Sequence, residues 1–174
     1  MEEVPTWPTT RRGVVLGGAS AGGIAGIAMA VFIMISSAIA GRGFWTPIEL
    51  SGAVFTNPRS SPGAAFVYGA VLHLLISATL GIIFASFIRY STWVVALVFG
   101  AASAIVVWGI VTWVGLPLFD SGLSRLLRAI ALPWFLAHVV FGVTLAITPR
   151  LVSQYSRPQV VAQRAECPET RRAA

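Results

Sequence analysis

Lysine is absent, and acids are nearly so. All twelve basic residues are arginine, they face six acids, and charged residues make up only 10% of the chain. A soluble globular domain carries about 25%, so that class is excluded, and the 56% apolar content excludes a disordered chain as well. The one cysteine, Cys167, rules out an internal disulfide and reads as a solvated, inert thiol. No acid falls within any long apolar run, and the chain has no HExxH, no Ser/His/Asp set and no paired carboxylates, so the sequence reads as non-enzymatic. A net charge of +6 would suggest nucleic acid in a soluble protein. Here the arginines separate apolar runs, where they act as topology signals, and no nucleic-acid partner is expected.

The runs themselves are long. Arg12 and Arg42 bracket 29 residues without a charge; Ala64 to Ile88 adds 25, Ser91 to Leu116 adds 26 and Ala129 to Thr148 adds 20. About 20 apolar residues cross a hydrocarbon core as helix, the form that satisfies its own backbone. The runs lack the period-two alternation of a barrel. The expected fold is an all-α membrane protein with four transmembrane helices over about 13–40, 64–88, 92–116 and 129–149. A cytoplasmic N-terminal tail (1–12) and a polar, disordered C-terminal tail (151–174) flank them.

Thr10-Arg11-Arg12 has the form of a twin-arginine export signal, and Ala38-Ile39-Ala40 that of a signal-peptidase site, which would make residues 1–40 a cleaved leader. A signal h-region is about 7–15 residues, roughly half the run found here, so the segment reads as a retained span. With four spans, Arg11, Arg12, Arg89, Arg150, Arg157 and Arg164 share one side. Arg42, Arg59, Arg125 and Arg128 lie on the other. The bias places both termini in the cytoplasm of a bacterial inner membrane, and Arg171 and Arg172 point the same way.

The loops carry signals of their own. Arg89-Tyr90-Ser91-Thr92 is short enough to pair helices two and three antiparallel. Thr46-Pro47-Ile48-Glu49 has an N-cap, a Pro at N1 and a Glu at N3, predicting a short helix from Pro47 to Phe55. Asp120-Ser121 caps a second over Gly122–Ile130, with Arg125 and Arg128 on one face and Leu123, Leu126 and Leu127 on the other. Both are expected to lie in the outer interface. Phe44, Trp45, Trp113, Phe119 and Trp134 read as an outer aromatic belt, Tyr90 and Trp93 as an inner one.

Helix two reads Leu72-His73 and then Thr79-Leu80-Gly81-Ile82; helix four reads Ala137-His138 and then Thr144-Leu145-Ala146-Ile147, at the same spacing. This suggests two duplicated hairpins, each a helix, an interfacial helix and a histidine-bearing helix, related by an axis along the membrane normal. Gly18, Gly22 and Gly26 form a small-residue stripe at four-residue spacing, suited to close helix contact or self-association. Gly69, His73, Ser77 and Gly81 form another, and Trp134, His138, Gly142 and Ala146 a third.

His73 and His138 are the only ionisable groups at depth, about 13–14 Å from the outer ends of their runs. The plain reading is a neutral ring that donates one hydrogen bond, for example to Ser77, Thr79 or Thr144. The alternative is bis-histidine haem b, with Arg42, Arg59, Arg125 and Arg128 on the side where propionates would lie. A zinc site lacks ligands. A transporter would require oligomers, since only Pro133 interrupts a span.

Gly41-Arg42-Gly43-Phe44-Trp45-x-Pro47 after a glycine-rich helix, then Gly69-x-x-x-His73, resembles small uncharacterised four-span bacterial membrane proteins. That resemblance implies the fold and brings no activity. The sequence therefore points to an accessory or assembly subunit of a larger respiratory or photosynthetic inner-membrane complex, whose partners are lipids and other integral membrane subunits. Haem-b electron transfer is the second reading and an oligomeric transporter or channel the third.

Overall fold

A computed structural model describes residues 9–115 and 121–157. The expectations for Phe119, the Asp120 cap, Arg164, Cys167, Arg171, Arg172 and the remainder of both tails lie outside those residues. Every regular element among the described residues is helical. Helix α1 (Arg11–Ile39) is followed by α2 (Thr46–Ser51), a 3-10 turn (Gly52–Val54), α3 (Pro62–Ile88) and α4 (Trp93–Ile110), which widens into a π turn over Val111–Gly115. Then come α5 (Ser121–Ala129), α6 (Ala131–Thr144), a 3-10 turn (Leu145–Ile147) and α7 (Thr148–Ser156). Four helical stretches are long and apolar enough to cross a membrane: Arg11–Ile39, Pro62–Ile88, Trp93–Gly115 and Ala131–Ser156. At 1.5 Å per residue even the shortest spans about 34 Å, more than a hydrocarbon core about 30 Å thick.

Helix α1 is the centre of the bundle. Thr10 caps it, its hydroxyl accepting from the Gly13 amide at 2.9 Å. One face meets α3, where a Cβ on Gly18 would lie 2.7 Å from Ile82 Cα and 2.9 Å from Ala85 Cβ. Another face meets α7, where a Cβ on Gly17 would lie 2.6 Å from the Val152 amide nitrogen. The α6–α7 stretch packs in turn on α4, with the Gly100 and Gly142 backbones in direct contact. The order across the bundle is thus α3, α1, α6–α7, α4. Small residues occupy every crossing because only they let two backbones approach this closely. The Thr10 amide donates to Ser156 Oγ at 3.2 Å, which ties the start of α1 to the end of α7 and puts both at one end of the bundle.

Several local expectations give way to packing. The fourth span runs to Ser156 instead of ending near 149. Pro149 sits in the first turn of α7 after the Leu145–Ile147 3-10 turn, where its missing amide interrupts no helical bond. Thr148 and Val152 then bury against α1, so residues 151–156 are docked helix and not tail. The capping box at Thr46 does not form. Its hydroxyl donates back to the Arg42 carbonyl at 2.7 Å, and Trp45 takes the cap position without a side-chain bond. Gly43, at φ +87, makes the turn that allows this.

Helices α3 and α4 run antiparallel across their short turn but scarcely touch. The Phe84 and Phe99 rings do meet between them, with centroids 6.2 Å apart. The two loop helices turn their apolar faces to protein. Ile48 and Pro47 of α2 bury on α3, and Leu126, Leu127 and Ile130 belong to the main core. Arg125 and Arg128 are exposed, the latter donating to Ser124 Oγ at 2.8 Å. Trp45, Tyr90, Trp93 and Trp113 are exposed at the ends of the spans. Trp134 is not, and turns inward to hydrogen-bond Thr112.

Candidate functional site

Where α3 and α4 diverge, a cavity of about 480 Å³ opens, and both histidines line it. Leu72, Ile76 and Leu80 of α3, Val107 and Val111 of α4, Phe141 of α6 and Met29 of α1 complete its walls. Ser51, Val54 and Phe55 roof it from α2 and its 3-10 turn, with Leu123 of α5 beside them. The π turn of α4 ends on this wall, at Gly115. Pockets of 300–1,000 Å³ with apolar walls and a few placed polar groups are the usual form of a small-molecule site.

Each ring is held by a backbone carbonyl. The Nε2–H of His73 donates across the helix interface to the Gly26 carbonyl of α1, at 2.9 Å. Gly26 permits this approach, since a Cβ there would collide with the Ser77 side chain. The Nδ1–H of His138 donates to the Trp134 carbonyl one turn back, at 3.0 Å. The Trp134 ring stands edge-on to the His138 ring, with centroids 4.2 Å apart, and its own Nε1–H donates to Thr112 Oγ1 at 2.9 Å. His138 is buried and His73 half-buried. A carbonyl only accepts, so each bond fixes the tautomer of the neutral ring: His73 then carries its lone pair on Nδ1, and His138 on Nε2.

Two of the three hydroxyls expected to partner the histidines bond within their own helices. Thr79 donates to the Leu75 carbonyl at 2.8 Å and Thr144 to the Val140 carbonyl at 2.7 Å. Of the packing residues read from sequence, Gly18, Gly22, Gly26, Ser77 and Gly81 meet at the α1–α3 crossing. Gly69 instead faces α2, where a Cβ would meet the Ile48 carbonyl. Gly142 serves the α4–α6 crossing together with Gly100. Sequence reading missed Gly13 and Gly17 against α7, although Gly13, Gly17 and Ala21 repeat at the same four-residue spacing. It also missed Met29 and Trp134 as cavity walls. Arg42, Arg59, Arg125 and Arg128 sit at the roofed end, yet none lines the cavity. Among the described residues no three His, Cys, Asp or Glu side chains cluster as a metal site.

No protein-family model matches the chain, and no curated protein or solved structure matches it either.

Proposed function

We propose that this is a non-enzymatic, four-span integral membrane protein that holds a lipophilic small molecule between α3, α4 and α6. In this reading it serves as an accessory or assembly subunit of a larger inner-membrane complex. The observation that carries the ligand-holding role is the roofed cavity, with two carbonyl-oriented imidazoles in an otherwise hydrocarbon wall. The wide apolar outer faces of the spans, such as Ile24 and Ile27 of α1 and Val98 and Ile105 of α4, suit lipid or neighbouring subunits.

Duplication also finds support. Shifting His73 onto His138 places Ser77 on Gly142. The Ser77 carbonyl meets Gly22 of the preceding span, and the Gly142 carbonyl meets Gly100 of its own preceding span. The halves differ where α1 packs on α6–α7 while α4 leaves α3, and that departure from symmetry creates the cavity.

Organic extraction of the purified protein followed by mass spectrometry tests the reading. One lipophilic compound near one per chain is expected, depleted in His138→Phe. Extracts that match the bulk lipid in both proteins would reject it. Haem b is the second reading, favoured by the His138 Nδ1–H bond to a carbonyl, a common orienting device for a metal-bound imidazole. It requires His73 to ligate through Nδ1 or to give up Gly26. A Soret band lost in both His73→Ala and His138→Ala would establish it over the first.

For topology we place both termini in the cytoplasm, because Arg11, Arg12, Arg89, Arg150 and Arg157 crowd the end where α1 begins and α7 finishes. The helices α2 and α5 then lie at the outer interface. Cys167 should resist an impermeant maleimide in intact cells and react after permeabilisation. Labelling from outside would invert the assignment.

A further inference from the structure

We infer that the molecule held in the cavity is an aromatic hydroxyl donor, a lipophilic phenol or hydroquinone, and not the corresponding ether or quinone. The inference rests on the cavity being a ligand site, and it follows from which hydrogen-bonding capacities remain unused there. Both imidazole N–H groups are committed to carbonyls, His73 to Gly26 and His138 to Trp134. The Trp134 indole N–H is committed to Thr112. Ser51, under the roof, donates to the Pro47 carbonyl at 2.8 Å. What remains on the two uncharged rings is a lone pair each, on His73 Nδ1 and His138 Nε2. Ser77 also lines the cavity, but a hydroxyl rotates to give or accept and so discriminates neither way.

An occupant whose oxygen only accepts would set its lone pairs against those of the imidazoles. A phenol hydroxyl gives one of the rings the hydrogen it lacks, and a hydroquinone carries one for each. The bond forms in a region with little competing water, where an unmade bond is most costly. The aromatic half of the inference comes from the walls. Trp134, Phe141 and Phe55 line the cavity, and rings favour edge-to-face contacts with one another. The volume of the cavity, about 480 Å³, admits a substituted ring and part of its tail.

Competition binding decides it. The full chain in lipid nanodiscs is titrated with tritiated para-nonylphenol by scintillation proximity, with empty nanodiscs as the blank. The unlabelled competitors are para-nonylphenol, its methyl ether and a long-chain alcohol of similar length. Saturable binding is expected, with the phenol competing at least about tenfold more strongly than the ether. The alcohol should fall between them. In the double variant His73→Phe/His138→Phe, which removes both lone pairs, the phenol-to-ether ratio should approach one; the ratio on the unaltered protein needs no variant to fold. Equal competition by phenol and ether would overturn the inference while leaving the ligand site standing. Alcohol binding as tight as phenol would overturn its aromatic half. No saturable binding above the blank would reject the ligand-holding reading itself.

Discussion

Gly22→Leu is expected to abolish recovery of folded protein, while Gly23→Leu leaves yield and thermal midpoint unchanged. A Cβ on Gly22 would overlap the Ser77 carbonyl oxygen and lie 2.9 Å from its carbon and 3.0 Å from Gly81 Cα. All of these are backbone atoms, so no side chain can swing aside. The two helices must separate along the crossing that also holds Gly18, Gly26, Ser77 and Gly81. Overpacking a core commonly costs about 1–3 kcal/mol, and a backbone-to-backbone clash belongs at or above the upper end. Leucine is a better helix former than glycine by several tenths of a kcal/mol, so propensity opposes the loss and packing alone must cause it. Gly23, one residue on, has nothing within 4 Å of its Cβ position, and leucine there adds apolar surface on the outer face. Detergent size-exclusion yield and a thermal melt of both variants check this. A normal Gly22→Leu protein would mean that α1 and α3 do not cross at this point.

Gly69→Leu should release the roof and leave the bundle intact. A Cβ on Gly69 would overlap the Ile48 carbonyl oxygen and approach the Gly52 amide nitrogen to 3.0 Å. Helix α2 is six residues long, far below the length at which a helix persists unaided, so its order depends on this contact. Exposing Ile48 forfeits about 1.5–3 kcal/mol, which corresponds to roughly a tenfold to hundredfold loss of protection. Hydrogen exchange should therefore quicken by that factor across Thr46–Val54 and stay unchanged in α1. Retention of the extracted ligand should fall in parallel. Faster exchange throughout α1 and α3 would show that Gly69 supports the bundle rather than its cap.

The spans were legible because bilayer thickness sets helix length, and 29-residue and 25-residue runs leave few alternatives. The Gly18, Gly22 and Gly26 stripe was legible for a similar reason: close approach demands the absence of a Cβ, and helical spacing aligns the absences. A stripe does not name its partner, however, so nothing marked Gly69 as the contact for α2, and Gly13 and Gly17 went unread. The Arg89–Thr92 turn fixed the direction of α3 and α4 but not their separation, because direction is local and packing is global. The continuation of the fourth span past Pro149 was not legible, because it depends on the proline falling in the first turn of α7 directly after a 3-10 turn. Trp134 has the composition of a belt residue, yet the Thr112 hydroxyl satisfies its indole N–H inside the protein. The histidines were found through the rarity of ionisable groups at depth. The cavity between them was not legible, since a void is defined by what fails to pack and leaves no periodicity.

The shared cavity of His73 and His138 is open to direct measurement by cross-linking in native membranes. His73→Cys and His138→Cys, combined in a Cys167→Ser background, would be treated with a short bifunctional maleimide and the bridged peptides identified by mass spectrometry. Leu75→Cys with His138→Cys serves as the control pair, because Leu75 is 62% exposed on the outer side of α3. Bridging is expected for the first pair and not for the second. No bridge between positions 73 and 138, or equal bridging from position 75, would place the histidines apart and remove the site on which the proposed function stands.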